Sequence, residues 1–89
     1  MANKVFKFYC DPGHGWLAVK VSDLVKIGMK PEDFTRYSYR KGGTVYLEED
    51  CDAPVFSEKW TNHFNLATFP HVVKHTNRSS PIRSYERIK

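Results

Sequence analysis

The chain has 89 residues, 40% hydrophobic and 15% aromatic, with a formal net charge of +4. That length suits one domain with a modest core, and no window approaches the roughly 20 apolar residues of a membrane-spanning helix. The N-terminal run MANKVFKFYC has no apolar stretch of signal-peptide length, so the expectation is a soluble protein, cytoplasmic in a host cell, with no membrane partner.

Residues 4–9 alternate as a strand, with Phe6 and Phe8 on one face and Val5, Lys7 and Tyr9 on the other. Asp11-Pro12-Gly13-His14-Gly15 reads as a tight turn, its glycines permitting positive φ. Trp16-Leu17-Ala18-Val19 follows as a second strand, completing a hairpin. Ser22 is placed to N-cap a short helix over residues 23–27 that Gly28 stops. After the connector Pro31-Glu32-Asp33, residues 34–40 and 44–48 form a hairpin turned by Lys41-Gly42-Gly43.

Asp52 then offers an N-cap, with Pro54 in the first turn of an amphipathic helix of about three turns. Its three- and four-residue spacing runs through Val55, Phe56, Lys59, Trp60, His63, Phe64 and Ala67, and Pro70 ends the segment. Residues 71–76 read as a strand, 77–81 as a turn, and 82–88 as a last strand or extended tail. The order β-β-α-β-β-α-β predicts an α+β fold: a mostly antiparallel sheet with two helices packed on one face, one domain over residues 1–89.

Charge is segregated. Residues 1–70 hold nine Lys/Arg and nine Asp/Glu, so the basic C-terminal segment 71–89 carries the whole net charge. There Lys74, Arg78, Arg83, Arg87 and Lys89 stand against Glu86 alone. Such an end calls for an anionic partner, either nucleic acid or an acidic protein face. With residues 82–88 extended, Arg83, Tyr85 and Arg87 share a face; Lys74, Thr76 and Arg78 share one on the preceding strand. A hairpin through 77–81 sets the two rows side by side. Lys74, Arg78, Arg83, Tyr85 and Arg87 are therefore the candidate anion- or partner-binding residues: guanidinium forks grip phosphate oxygens and a phenol ring stacks on a base. The plainer alternative is a solvated edge strand whose charges prevent aggregation.

Two further clusters invite chemistry. Asp11, His14 and Trp16 form a second candidate contact, and Asp11 with His14 makes an acid/base pair. Glu48-Glu49-Asp50-Cys51-Asp52 packs four carboxylates into five residues. Combined with Asp11 and His14 it suggests a metal-assisted hydrolase; the structural reading puts Asp50 and Asp52 at the positive end of a helix dipole. No calcium-loop spacing is present, and His63, His71 and His75 do not fall at zinc-ligand spacing with Cys10 and Cys51. No catalytic residue, metal or cofactor is assigned. The cysteines are expected to be two buried thiols, a disulfide or metal ligation being the alternatives.

The strings Asp11-Pro12-Gly13-His14-Gly15-Trp16-Leu17-Ala18-Val19, Tyr37-Ser38-Tyr39, Val45-Tyr46-Leu47-Glu48-Glu49-Asp50-Cys51-Asp52 and Ile82-Arg83-Ser84-Tyr85-Glu86 cover most of the chain. In them it resembles small accessory proteins of phages and other mobile elements, a group without an assigned activity. The resemblance implies a protein that acts by binding, often by blocking a host machine such as a defence complex. It transfers no functional residue. Three expectations follow: a non-enzymatic protein docking on a host or phage complex, a direct nucleic-acid-binding domain, and the small hydrolase. The oligomeric state stays open, a homodimer included.

Overall fold

The computed structural model describes residues 4–89. Six strands form, with the alternation of apolar and polar residues clearest in β4: β1 (Phe6–Cys10), β2 (Gly15–Lys20), β3 (Tyr39–Lys41), β4 (Thr44–Glu48), β5 (His71–His75) and β6 (Glu86–Arg87). Helix α1 (Val21–Lys26) follows β2, and α2 (Ala53–His63) connects β4 to β5. Two single-turn 3₁₀ helices, Pro31–Asp33 and Pro81–Ser84, lie in the connections. The fold is α+β, and the strands form one sheet in the order β5-β1-β2-β4-β3-β6. Every pairing is antiparallel except β1 with β5, which the α2 crossover makes parallel.

One face of that sheet is apolar. Phe6, Leu17, Val19, Val45 and Leu47 are buried there with Leu24 of α1 and Phe56 and Trp60 of α2. Phe6 meets Phe56 and Trp60 edge-on, with ring centroids 5.4 and 4.9 Å apart. Each such side chain contributes roughly 1.5–3 kcal/mol on burial, so these contacts hold the sheet against both helices. The alternate residues of the same strands face away from the helices.

The expected elements appear with shifted ends. The helix at 23–27 begins earlier, because β2 runs straight into it; Ser22 caps nothing, and Lys20 holds the cap position without a side-chain bond. Gly28 stops it as expected, at φ +75°. Asp52 stands at the α2 N-cap, yet its carboxylate reaches across to the 35–38 loop. The Thr35 amide and the Thr35 and Ser38 hydroxyls outcompete the helix's own N–H groups. Asn65, at φ 56°, follows the last turn of α2, so the helix ends well before Pro70. The hairpin's first strand contracts to β3, since residues 35–38 coil around Asp52.

The C-terminal segment departs most. Residues 82–88 are not one strand: Pro81–Ser84 is a 3₁₀ turn, nucleated by Pro81 and capped by Ser80 Oγ accepting from the Ile82 amide. Only Glu86–Arg87 is a strand. Nor do 77–81 make a hairpin, because β5 and β6 lie at opposite edges of the sheet. Gly13 and Gly15 do not use positive φ; the glycines that do are Gly28 and Gly42. The cysteines are free, Cys10 half-buried and Cys51 exposed, so the expectation of two buried thiols fails.

Candidate functional site

The sheet face turned away from the helices is rich in aromatic and basic groups. Register places Val72, Lys7, Ala18, Tyr46, Tyr39 and Arg87 in one row across all six strands. A second row holds Lys74, Tyr9, Trp16 and Glu48, and a third Lys20, Thr44 and Lys41. Residues paired in register project from the same face. Strand alternation therefore collects lysines and tyrosines from sequence positions far apart.

Part of this open face is roofed. After β5 the chain crosses it to reach β6, as a strap. Its anchor is Asp11, a buried carboxylate in the β1–β2 turn. Oδ1 accepts from the Gly13 and His14 amides, each at 2.9 Å. Oδ2 accepts from the Ser80 amide at 2.9 Å. Arg83 closes on both oxygens, at 2.6 Å through Nε and 2.8 Å through Nη2. Arg83, then the Ser80, His14 and Gly13 amides, hold the Asp11 carboxyl far below the usual carboxylate range, and Asp11 in turn raises Arg83. The Arg83 guanidinium also lies 5.3 Å from the Trp16 ring centroid, which helps bury Trp16 to 2% exposure.

What the strap leaves uncovered is a pair of clefts. One, about 290 Å³, is lined by Lys4, Lys7, Tyr9, Ala18, Lys20 and Tyr46 among others. The second, about 410 Å³, is lined by Tyr9, Tyr46, Lys74, His75, Ile82 and Tyr85 among others. Tyr9 and Tyr46 are common to both, so the clefts meet at these two rings. Among the described residues, no carboxylate lines either one. Lys4 is paired with Asp23 at 2.8 Å, whereas Lys7, Lys20 and Lys74 make no ion pair among the described residues. Burial, then Tyr85 and Tyr9, raises the Tyr46 pKa and keeps that phenol neutral.

The residues singled out in the sequence are dispersed. Lys74 and Tyr85 line the same cleft. Arg83 is committed to Asp11. Arg87 stacks on Tyr39 at 4.9 Å and donates to the Arg36 carbonyl at 2.9 Å. Arg78 is exposed in the strap. The single Arg83-Tyr85-Arg87 row is thus absent, because the 3₁₀ turn rotates Arg83 out of it. Of the second candidate contact, Asp11 and Trp16 are buried and His14 is exposed.

Missed at the sequence level were Lys7, Tyr9, Lys20 and Tyr46. The alternation that put Lys7 and Tyr9 on one face of β1 was visible; that this face stays open was not. His14, Glu48 and Glu49 do converge, with ligand atoms within 4.8 Å of one another. Their carboxylates are occupied: Glu48 Oε1 accepts from the Asp50 and Cys51 amides, and Glu49 Oε2 from the Gly15 amide at 3.1 Å, with His14 Nδ1 3.3 Å away. Asp11, the other half of the expected acid/base pair, is spent on Arg83.

No protein-family model, curated protein or solved structure matches this chain. No helix among the described residues is long and apolar enough to cross a membrane.

Proposed function

We propose that this is a non-enzymatic binding protein whose working surface is the open face of the sheet, and whose partner is anionic there. The composition of the two joined clefts carries this reading. They bring together unpaired ammonium groups and phenol rings, without a lining carboxylate among the described residues. Lysines left unpaired on one face create a positive potential that attracts and orients an anion. The resemblance to phage and mobile-element accessory proteins supports the same class of action: docking on a host or phage complex, or on its nucleic acid, so as to modulate or inhibit it.

The test compares two charge reversals on a heparin column, a sulfated polyanion that needs no knowledge of the natural partner. Lys7→Glu with Lys20→Glu alters the open face; Arg78→Glu with Lys89→Glu alters the C-terminal segment. Each pair lowers the formal net charge from +4 to zero. The open-face pair should elute at distinctly lower salt than the C-terminal pair. Equal elution would mean that only total charge matters, and the reading would fall.

A further inference from the structure

Resting on that reading of the open face, we infer that its occupant is a single-stranded nucleic acid, with a base stacked on Tyr9 and neighbouring phosphates held by Lys7, Lys20 and Lys74. The placement of rings and charges makes the distinction. Lys74 lies directly across from Tyr9 on β5, about 4.8 Å away between strands. Lys7 is two residues from Tyr9 along β1, on the same face and about 6.6 Å away. A stacking ring is thus flanked by cations in two directions, the combination that single-strand binders use.

Tyr9 also has room to stack. Its ring has no aromatic or cation–π partner among the described residues, unlike its neighbours. Tyr85 packs against Tyr46 with centroids 5.1 Å apart, and the Lys41 ammonium lies 4.8 Å from the Tyr85 centroid, so Tyr85 is a wall of the cleft. Ala18 contributes only a methyl group between Lys7 and Tyr46 and leaves depth beside the tyrosines.

Other anions use the surface less fully. A duplex keeps its bases stacked inside and presents phosphates at its rim, leaving phenols on a sheet floor without a role. A carboxylate-rich peptide would satisfy the lysines and leave the half-buried Tyr9 ring that lines both clefts without a stacking partner. A single strand engages both groups, and stacking on a tyrosine tolerates any base.

The experiment is fluorescence anisotropy of the full chain with labelled dT15 and rU15, and with a 15-bp duplex, at 50 mM and 200 mM salt. Either single strand should bind at least about tenfold more tightly than the duplex, with a log–log salt slope near −2 from about 0.7 per contact at three lysines. Tyr9→Ala should weaken binding about tenfold or more, and Tyr9→Phe, which keeps the ring, should not. The Phe variant guards against misfolding as the cause of a loss. Duplex binding as tight as single-strand binding, or indifference to Tyr9→Ala, would overturn the inference. So would no oligonucleotide binding at all; if heparin elution still depended on Lys7 and Lys20, an acidic protein surface would replace nucleic acid and the open-face reading would survive. Loss of that heparin dependence would instead remove the reading itself.

Discussion

Arg83 and Asp11 form a bidentate ion pair across 72 residues of chain, and it fastens the C-terminal strap to the first turn of the fold. The same carboxylate organises that turn through the Gly13 and His14 amides. A cation the sequence offers to a partner is therefore an internal clasp. It positions the strap that closes one end of the open face.

The clasp makes stability acid-sensitive. The folded-state pKa of Asp11 lies below that of the unfolded chain, so its contribution is whole above about pH 4 and is lost as the pH falls toward the folded-state value. Asp11→Asn removes this contribution at neutral pH. We expect the Tm of the variant to lie below wild type at pH 7, and the gap to narrow between about pH 4 and pH 2. Thermal melts followed by circular dichroism check it; a gap independent of pH would contradict it.

Gly15 is required for space and not for φ. A Cβ there would lie 2.5 Å from Phe8 Cε1 and 3.2 Å from Cys10 Sγ. Gly15→Ala should destabilise by about 1–3 kcal/mol. Gly43, in the β3–β4 turn, has nothing within 4 Å of such an atom, and Gly43→Ala should stay within about 0.5 kcal/mol of wild type. Urea unfolding of both variants provides the comparison.

Trp60 is buried to 1% exposure at the centre of the aromatic core, yet its indole N–H has no partner among the described residues. Trp60→Ala should cost about 3–5 kcal/mol. Trp60→Phe should cost clearly less than that, because it keeps an aromatic ring in the core and removes an unsatisfied buried donor along with the lost volume. A Phe variant as unstable as the Ala variant would show that the donor is satisfied in solution.

Asp52 holds the 35–38 loop in place. It accepts from the Thr35 amide at 3.1 Å, from Thr35 Oγ1 at 2.8 Å and from Ser38 Oγ. Ser38 Oγ in turn accepts from the Glu48 amide at 2.9 Å, linking the loop to β4. Asp52→Ala leaves the buried Ser38 hydroxyl and the half-buried Thr35 donors without their acceptor and should cost about 3 kcal/mol. Ser38→Ala keeps the two Thr35 contacts and should cost about 1–2 kcal/mol. Chemical denaturation measures both; equal losses would place Ser38, not Asp52, at the centre of the network.

The sheet and its two helices were legible because period-two and three- or four-residue spacing depends on local sequence alone. Phe6, Leu17, Val45, Phe56 and Trp60 all point where their spacing puts them. The site was less legible for two reasons. Whether Lys7 and Tyr9 face solvent depends on which sheet face α2 covers, and that is decided by non-local packing. The charge pattern of residues 71–89 misled because the Asp11–Arg83 pair spans the whole chain, and Pro81 starts a turn where alternation suggested a strand.

The open face as the contact surface is tested most directly by amide chemical-shift mapping with a short heparin fragment at low salt. Shifts should concentrate at Lys7, Tyr9, Ala18, Lys20, Tyr46 and Lys74, leaving the exposed side of α2 unmoved. Shifts confined to Arg78 and the last residues of the chain, or spread evenly over the surface, would contradict it.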